Sequence, residues 1–219
     1  MFEKLKKTFE NAIKHADANV DTEIFNHPIA QQTDWHPLRG GGANFQTHRL
    51  DSSNPDKLVF KATIGAKLFS GLFAFIGFFG LTIPLYIFVT GGMQDWSLLF
   101  FALFFGGIFL GIGLLMLYLF AQPRVFDTFY GYYFKGWKRP NDSLSRDKNK
   151  TTNLNQVEAI QVLRERVRSK NSSYFSYEIN LVLDDASRIN ITDHGKHQAI
   201  IQDAETLAQA LGVPLWDGS

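Results

Sequence analysis

Three groups of residues in this 219-residue chain have types and spacings that can do chemistry. The first is "HPLRGGGANF", residues 36–45, where an arginine precedes three consecutive glycines. A glycine-rich loop cradles phosphate when it follows a strand, opens a helix and carries the spacing G-x-x-x-x-G-K-[ST]. Here neither Lys-Ser nor Lys-Thr follows, and the text after the glycines reads as strand. A P-loop and a dinucleotide fingerprint therefore both fail. The pattern predicts a backbone joint, where glycine permits positive φ or the close approach of another segment. Trp35 beside it is a candidate anchor, to the domain or to a membrane interface.

The second group is His194 and His197, three apart at the start of a helical pattern, with Asp193 adjacent. Two imidazoles need a third, rigidly held ligand to bind zinc, and Asp203 lies too far along the helix to supply it. No metal is expected. The reading is a helix start capped by Asp193, with solvated imidazoles. The third group is cationic. Arg164, Arg166, Arg168 and Lys170 alternate, so a strand places them on one face as a ladder. Together with Lys135, Lys138 and Arg139 this ladder can meet anionic lipid headgroups or a partner. A solvated edge strand guarded by charge accounts for the same residues.

No residue presents itself as catalytic. Asp184 and Asp185 adjoin, but in a predicted turn, a poor place for acid–base work. No nucleophile-elbow pattern is visible. The chain has no cysteine, which excludes disulfides, thiolate metal sites and a cysteine nucleophile. No cofactor is expected. A net charge of +1 supplies no field toward nucleic acid.

The elements that must carry these residues are segregated by polarity. The composition holds 21 Phe, and they concentrate between two charged flanks. Residues 68–94 and 96–123 contain no charged residue, with Asp95 between them. Each run is about 27 residues, above the roughly 20 needed to cross a bilayer core. The short stretch "TGGMQDW" between them leaves a tight antiparallel hairpin as the only geometry. Residues 1–30 hold no apolar core of signal-peptide type, so the first span reads as an uncleaved anchor. Lys57, Lys61 and Lys67 precede the spans, Arg124, Lys135, Lys138 and Arg139 follow them, and the loop has no Lys or Arg. The positive-inside rule then predicts a multi-pass protein with both termini in the cytoplasm. Tyr86, Trp96 and Tyr118 near the span ends suit the headgroup layer.

Gly107 and Gly111 form a G-x-x-x-G step within the second span. Small residues let apolar helices approach closely, either within one chain or between copies in a homo-oligomer. Pro84 predicts a kink in the first span. Neither span carries Asp, Glu, Lys, Arg or His, which argues against an ion pathway or proton relay.

Outside the spans, Phe2, Leu5, Phe9, Ile13 and Ala16 form one face of a helix with lysines on the rest. This helix suits an anionic membrane surface, or the chain's own domain or a partner. Residues 45–50 and "KLVFKAT", 57–63, read as strands. "VFDTFYGYYFKGWKR" reads as two strands with a break near residues 128–130. "QVEAIQVLRERVRS" reads as a strand from its β-branched content. "SYEINLVL" and "SRINIT" read as a hairpin across residues 184–186. Ile200, Ala204, Leu207, Ala208 and Leu211 face one side of a final helix that Gly212 and Pro214 stop.

This order of two spans, some five strands and a terminal helix, with "WHPLRGGGANFQTH" and "SYEINLVLDDASRINITDHG", resembles bacterial inner-membrane proteins carrying a pleckstrin-homology-like (bPH-type) domain after two transmembrane helices. There the hairpin turn reads closer to Asp-Gly-Ser-Arg, whereas Ala186 stands here in place of the glycine. The resemblance implies an α+β membrane protein. A segment 1–66 with an amphipathic helix, the glycines and short strands would precede a transmembrane helical hairpin, 67–121. A small antiparallel PH-like sheet domain closed by a C-terminal helix, 122–219, would follow. It implies a location and a fold that often serves as a platform for lipid headgroups or proteins, and no activity. Three functions fit: a membrane-anchored binding or scaffold module, an enzyme acting on a membrane substrate, and an accessory subunit of an oligomeric channel or transporter. The first is the expectation.

Overall fold

A computed structural model of the chain describes residues 20–92, 95–138, 151–168 and 172–219. The N-terminal helical pattern, Arg139 and Lys170 lie outside them. In chain order the elements are α1 Pro28–Gln32, β1 His48–Asp51, β2 Lys57–Ala62, α2 Ile64–Val89 and α3 Trp96–Ala121. There follow β3 Arg124–Asp127, β4 Tyr132–Lys135, β5 Thr151–Asn153, β6 Val157–Arg168, β7 Ser173–Leu183, β8 Arg188–His194, α4 His197–Leu211 and β9 Leu215–Gly218. They fall into two units, residues 62–122 and the remainder.

The first unit is a helical hairpin. Its helices have 26 residues each, and both are long and apolar enough to cross a membrane. At about 1.5 Å per residue each is roughly 39 Å long, against a hydrocarbon core of about 30 Å. Thr63 caps α2 by accepting from the Ala66 N–H, and Asp95 caps α3 through the N–H groups of Ser97 and Leu98. The α2 helix runs continuously through Pro84. The two helices meet through small residues. A Cβ on Gly77 would collide with the backbone of Leu110, one on Gly106 with the backbone of Gly80 and Leu81, and one on Gly113 with Ala74. Many large side chains point away from the contact, with Phe75, Phe100 and Phe104 each more than 60% exposed, while Phe73 stacks on Phe109 across it at 5.8 Å. Gly107 and Gly111 have nothing within 4 Å of the place a Cβ would occupy. The close approach within this chain therefore runs through Gly106 and Gly113, not through the G-x-x-x-G pair. A shift of one residue turns the face by about 100°.

The second unit holds two sheets, one ordered β1-β2-β3-β4-β5 and one ordered β8-β7-β6-β9. Where the sequence separates residues 1–66 from 122–219, β2 pairs antiparallel with β3, from Lys57 opposite Asp127 to Phe60 opposite Arg124. The β6–β7 pair is the longest ladder and carries a bulge near Val157. Ile160, Val162, Ile179 and Leu181 on one face pack with Leu58, Phe60, Phe126 and Tyr133 of the first sheet and with Ile200, Ala204 and Leu207 of α4. The opposite face is covered too: Ala159, Leu163 and Val182 pack under Ala30, Trp35 and Trp216. Burial on both faces explains why "VEAIQVL" lacks strict alternation.

Two C-terminal expectations change. Asp193 lies inside β8, opposite Glu178, and the residue before α4 is Lys196, whose side chain makes no capping bond. The β8 ladder outcompetes the cap because pairing runs on to His194 opposite Tyr177. The chain also does not end at the helix. After Gly212, at φ 67°, β9 adds a parallel edge to β6, with Trp216 opposite Gln161. The helix is thereby tied back to the sheet it covers.

Candidate functional site

The glycine loop is occupied by the protein's own carboxylates. The backbone N–H groups of Leu38 and Arg39 donate to Glu178, at 2.7 and 3.1 Å, and that of Gly41 donates to Glu165 at 2.7 Å. Consecutive N–H groups turned the same way form an anion nest. Here its occupants come from β6 and β7 of the same chain. Gly41 has φ 81°, and a Cβ on Gly42 would sit 2.6 Å from the Asp193 carboxylate, so glycine is required at both. The Tyr174 hydroxyl donates to the Gly42 carbonyl at 2.7 Å. The joint is thus pinned at three places, and it holds no free N–H cradle at Leu38, Arg39 or Gly41.

Behind the loop runs a buried polar chain. Asn180 donates to Glu178 at 2.7 Å and to Gln161 at 3.4 Å. Arg188 donates to the His36 carbonyl at 2.8 Å and faces Asp34 at 3.3 Å. Glu178 is only 3% exposed; burial pushes its carboxyl up, and the Asn180 and loop N–H bonds pull it back down. Trp35 anchors the segment to the domain. Its indole N–H donates to the Ala30 carbonyl at 2.8 Å, and its ring stacks on Phe25 at 4.9 Å.

Beside the loop lies a cluster with the opposite balance. Arg124 and Lys135 are register partners on β3 and β4, on the same strand faces as Phe126 and Tyr133. Alternation therefore turns both cations toward the core side at the sheet's end. The Arg124 Nε and Nη1 atoms and the Tyr133 hydroxyl are shut off from solvent and have no hydrogen-bond partner. Burial lowers the Arg124 pKa, while Tyr133 and Asp193 oppose the shift and Arg39 adds to it. Lys135 is also lowered, first by burial, then by Arg124 and Arg39. Burial pushes Tyr133 up to about 12. Asp193, the carboxylate facing all three cations, is pushed up by its own burial.

The sequence-derived residues divide between two places. Arg164, Arg166 and Arg168 stand exposed at alternate positions of β6, opposite Tyr177, Phe175 and Ser173. The Arg164 guanidinium lies 5.0 Å from the centre of the Phe175 ring. Lys138 is exposed. Lys135 instead is drawn into the Arg124 cluster, where the charges acting on it are Arg124, Arg39 and Asp193. His194 is not solvated: it is 0% exposed, and its Nδ1 accepts from the Lys196 N–H at 3.2 Å. His197 stacks on Tyr177 at 4.4 Å. Among the described residues no three His, Asp or Glu side chains form a group that could hold a metal.

Sequence reasoning missed Arg39, Arg124, Tyr133 and Asp193 as a group. A signal was present. In "RVFD" Arg124 shares parity with Phe126, and in "YYFK" Lys135 shares parity with Tyr133, so a core-facing aromatic marks the face of each cation. Searches of protein-family models, curated proteins and solved structures find no match to this chain.

Proposed function

We propose that this chain is a membrane-anchored binding module of the bacterial inner membrane. Its hairpin spans the bilayer, both termini face the cytoplasm, and a PH-like sheet unit docks a lipid headgroup or a protein partner. The observation that carries the reading is the insertion of two helices between the paired strands β2 and β3, with most of their large apolar side chains outward and glycines at their closest approach. Water is a poor solvent for such a surface. The exposed arginines of β6, with Lys138, add a cationic face suited to anionic headgroups. The carboxylates of Glu178 and Glu165 are taken up by the loop's own N–H groups, which supports a structural role for the glycine loop over a phosphate-transfer one.

The test is fractionation followed by protease mapping. The chain is expected to stay with membranes through an alkaline carbonate wash and to need detergent for release. Protease is expected to cut residues 123–219 in inside-out vesicles and to spare them in intact spheroplasts. Monodisperse protein in a detergent-free lysate would overturn the anchor. Cleavage of that region in intact spheroplasts would overturn the orientation.

A further inference from the structure

The cluster at the start of β3 has a charge problem that the chain itself leaves unsolved. Arg39, Arg124 and Lys135 bring three positive charges, and Asp193 is the carboxylate among the described residues that acts on Arg124 and Lys135. Among the described residues none of the three cations has an ion pair within 4 Å, although ion pairs are made elsewhere, as by Lys61 with Asp51. Two guanidinium nitrogens and a phenol are withdrawn from water with no acceptor. Each such donor costs free energy comparable to a lost hydrogen bond, and more when charged. The neighbouring carboxylates do not relieve this. Glu178 and Glu165 accept from the loop's N–H groups, so both are engaged at the glycine joint.

The register shows how the donors converge. Arg124 and Lys135 are directly opposite, with Cβ atoms about 5 Å apart in such a pair. Tyr133 stands two residues before Lys135, its ring against Phe126 at 5.0 Å and its hydroxyl within electrostatic reach of Arg124 and Arg39. Tyr133 is 0% exposed, so it forms the floor. Arg39 is exposed and Arg124 and Lys135 are part-exposed, so solvent reaches the cluster from that side, while Arg124 Nε and Nη1 and the Tyr133 hydroxyl lie beneath it, closed to water. A guanidinium, an ammonium, a second guanidinium and a phenol, facing one carboxylate, make a set of donors for a tetrahedral oxyanion.

The geometry points to a binding site for a phosphate group, held by Arg124, Lys135 and Arg39 over the Tyr133 hydroxyl. Inorganic phosphate and a phosphomonoester headgroup share the needed chemistry. Arg124 lies three residues after the end of α3, so on the membrane-anchored reading, on which only the lipid source rests, the site is tethered close to the headgroup layer.

The experiment uses the full chain in a neutral maltoside detergent and reads melting temperature by scanning fluorimetry. One arm adds inorganic phosphate. The other adds phosphatidic acid to the micelles, with phosphatidylcholine as the control. The wild type is expected to melt higher in at least one arm, rising with the logarithm of ligand concentration. A rise with inorganic phosphate alone assigns a free anion; a rise with phosphatidic acid alone assigns a headgroup. Arg124→Met is expected to weaken the response at least about tenfold. Without ligand it is expected to melt no lower than wild type, because it removes an unpartnered buried charge. Lys135→Gln repeats the test should Arg124→Met not fold, and Lys196→Gln, at an exposed side chain outside both the cluster and the β6 arginines, is expected to respond as wild type does. A wild type unresponsive in both arms overturns the site, as does a full response in the Arg124 or Lys135 variant. Failure of the anchoring reading shows separately, as solubility without detergent, and leaves the inorganic phosphate arm intact.

Discussion

The two units of this chain invert each other. In the hairpin the residues at the closest helix approach are Gly77, Gly106 and Gly113, while most phenylalanines face outward. In the sheet unit Trp216, Phe60 and Phe126 are inside, and so are Glu178, Asn180 and Gln161. In a bilayer, as proposed, the first pattern gains nothing from hiding apolar surface, so it relies on close backbone approach. The second hides apolar surface on both faces of β6 and β7, so each polar group enclosed with it either finds a partner, as Glu178 does, or costs free energy, as at Arg124. Perturbation should act through packing geometry in one unit and through hydrogen bonding in the other.

The sharpest way to break that contrast is a single added side chain in the hairpin. Gly106→Val places a branched side chain against the Gly80 and Leu81 backbone and is expected to cost more than about 3 kcal/mol, or to separate the helices. Gly107→Val, one position along and open within 4 Å, is expected to be near neutral by the same detergent melt. Equal effects would dissolve the distinction between contact and outward faces. In the sheet unit the counterpart is Glu178→Ala. It strands the Leu38 and Arg39 N–H groups and the Asn180 amide, and about 2–3 kcal/mol should be lost. Hydrogen exchange at Leu38 and Arg39 should accelerate alongside.

Titration separates the units further, since the perturbed buried groups described lie in the sheet unit. Burial depresses His194 from its ordinary 6.5 to about 4. Its contribution is full above pH 6.5 and is lost as pH falls toward 4, on the order of 3 kcal/mol. Replacement with Gln should flatten that loss in a series of melts against pH. Asp203 runs the other way, raised by burial from 3.8 to about 6. Its contribution is full below pH 3.8 and is lost as pH rises through 6. Asp203→Asn should therefore raise stability above pH 6 by about 1 kcal/mol, reduced by its partial exposure, and do nothing near pH 3.5. The smallest effect concerns Ala186, held at φ 60° in the β7–β8 turn. Ala186→Gly should add about 0.5–1 kcal/mol and leave the hairpin unit unchanged.

What the sequence reveals follows the same division. The hairpin, β2, the β6–β7–β8 meander and the Ile200, Ala204, Leu207 face of α4 are legible because periodicity and polarity coincide there. Which glycines meet is not legible: α3 is apolar all round, so nothing marks the side that carries Gly106 rather than Gly107. Asp193 reads as a helix cap because its strand partner, Glu178, lies beyond the β7–β8 turn. The "LWDG" strand is too short to announce itself and pairs with residues some 55 positions earlier. The glycine loop shows its flexibility in the sequence but not its occupants, since Glu165 and Glu178 are more than 120 residues away. The Arg124 cluster draws on the loop, β3, β4 and β8, and only parity along each strand hints at it.

One feature of the topology bears on how the molecule is made. Strands β2 and β3 are neighbours in space, yet the whole helical hairpin lies between them in the chain. During synthesis β2 emerges first and has no partner on that side until Arg124 to Asp127 leave the ribosome. The sheet therefore closes only after both long helices have been delivered, whatever their destination. A chain interrupted within the hairpin therefore keeps β2 with an open edge, a ready template for pairing with other chains.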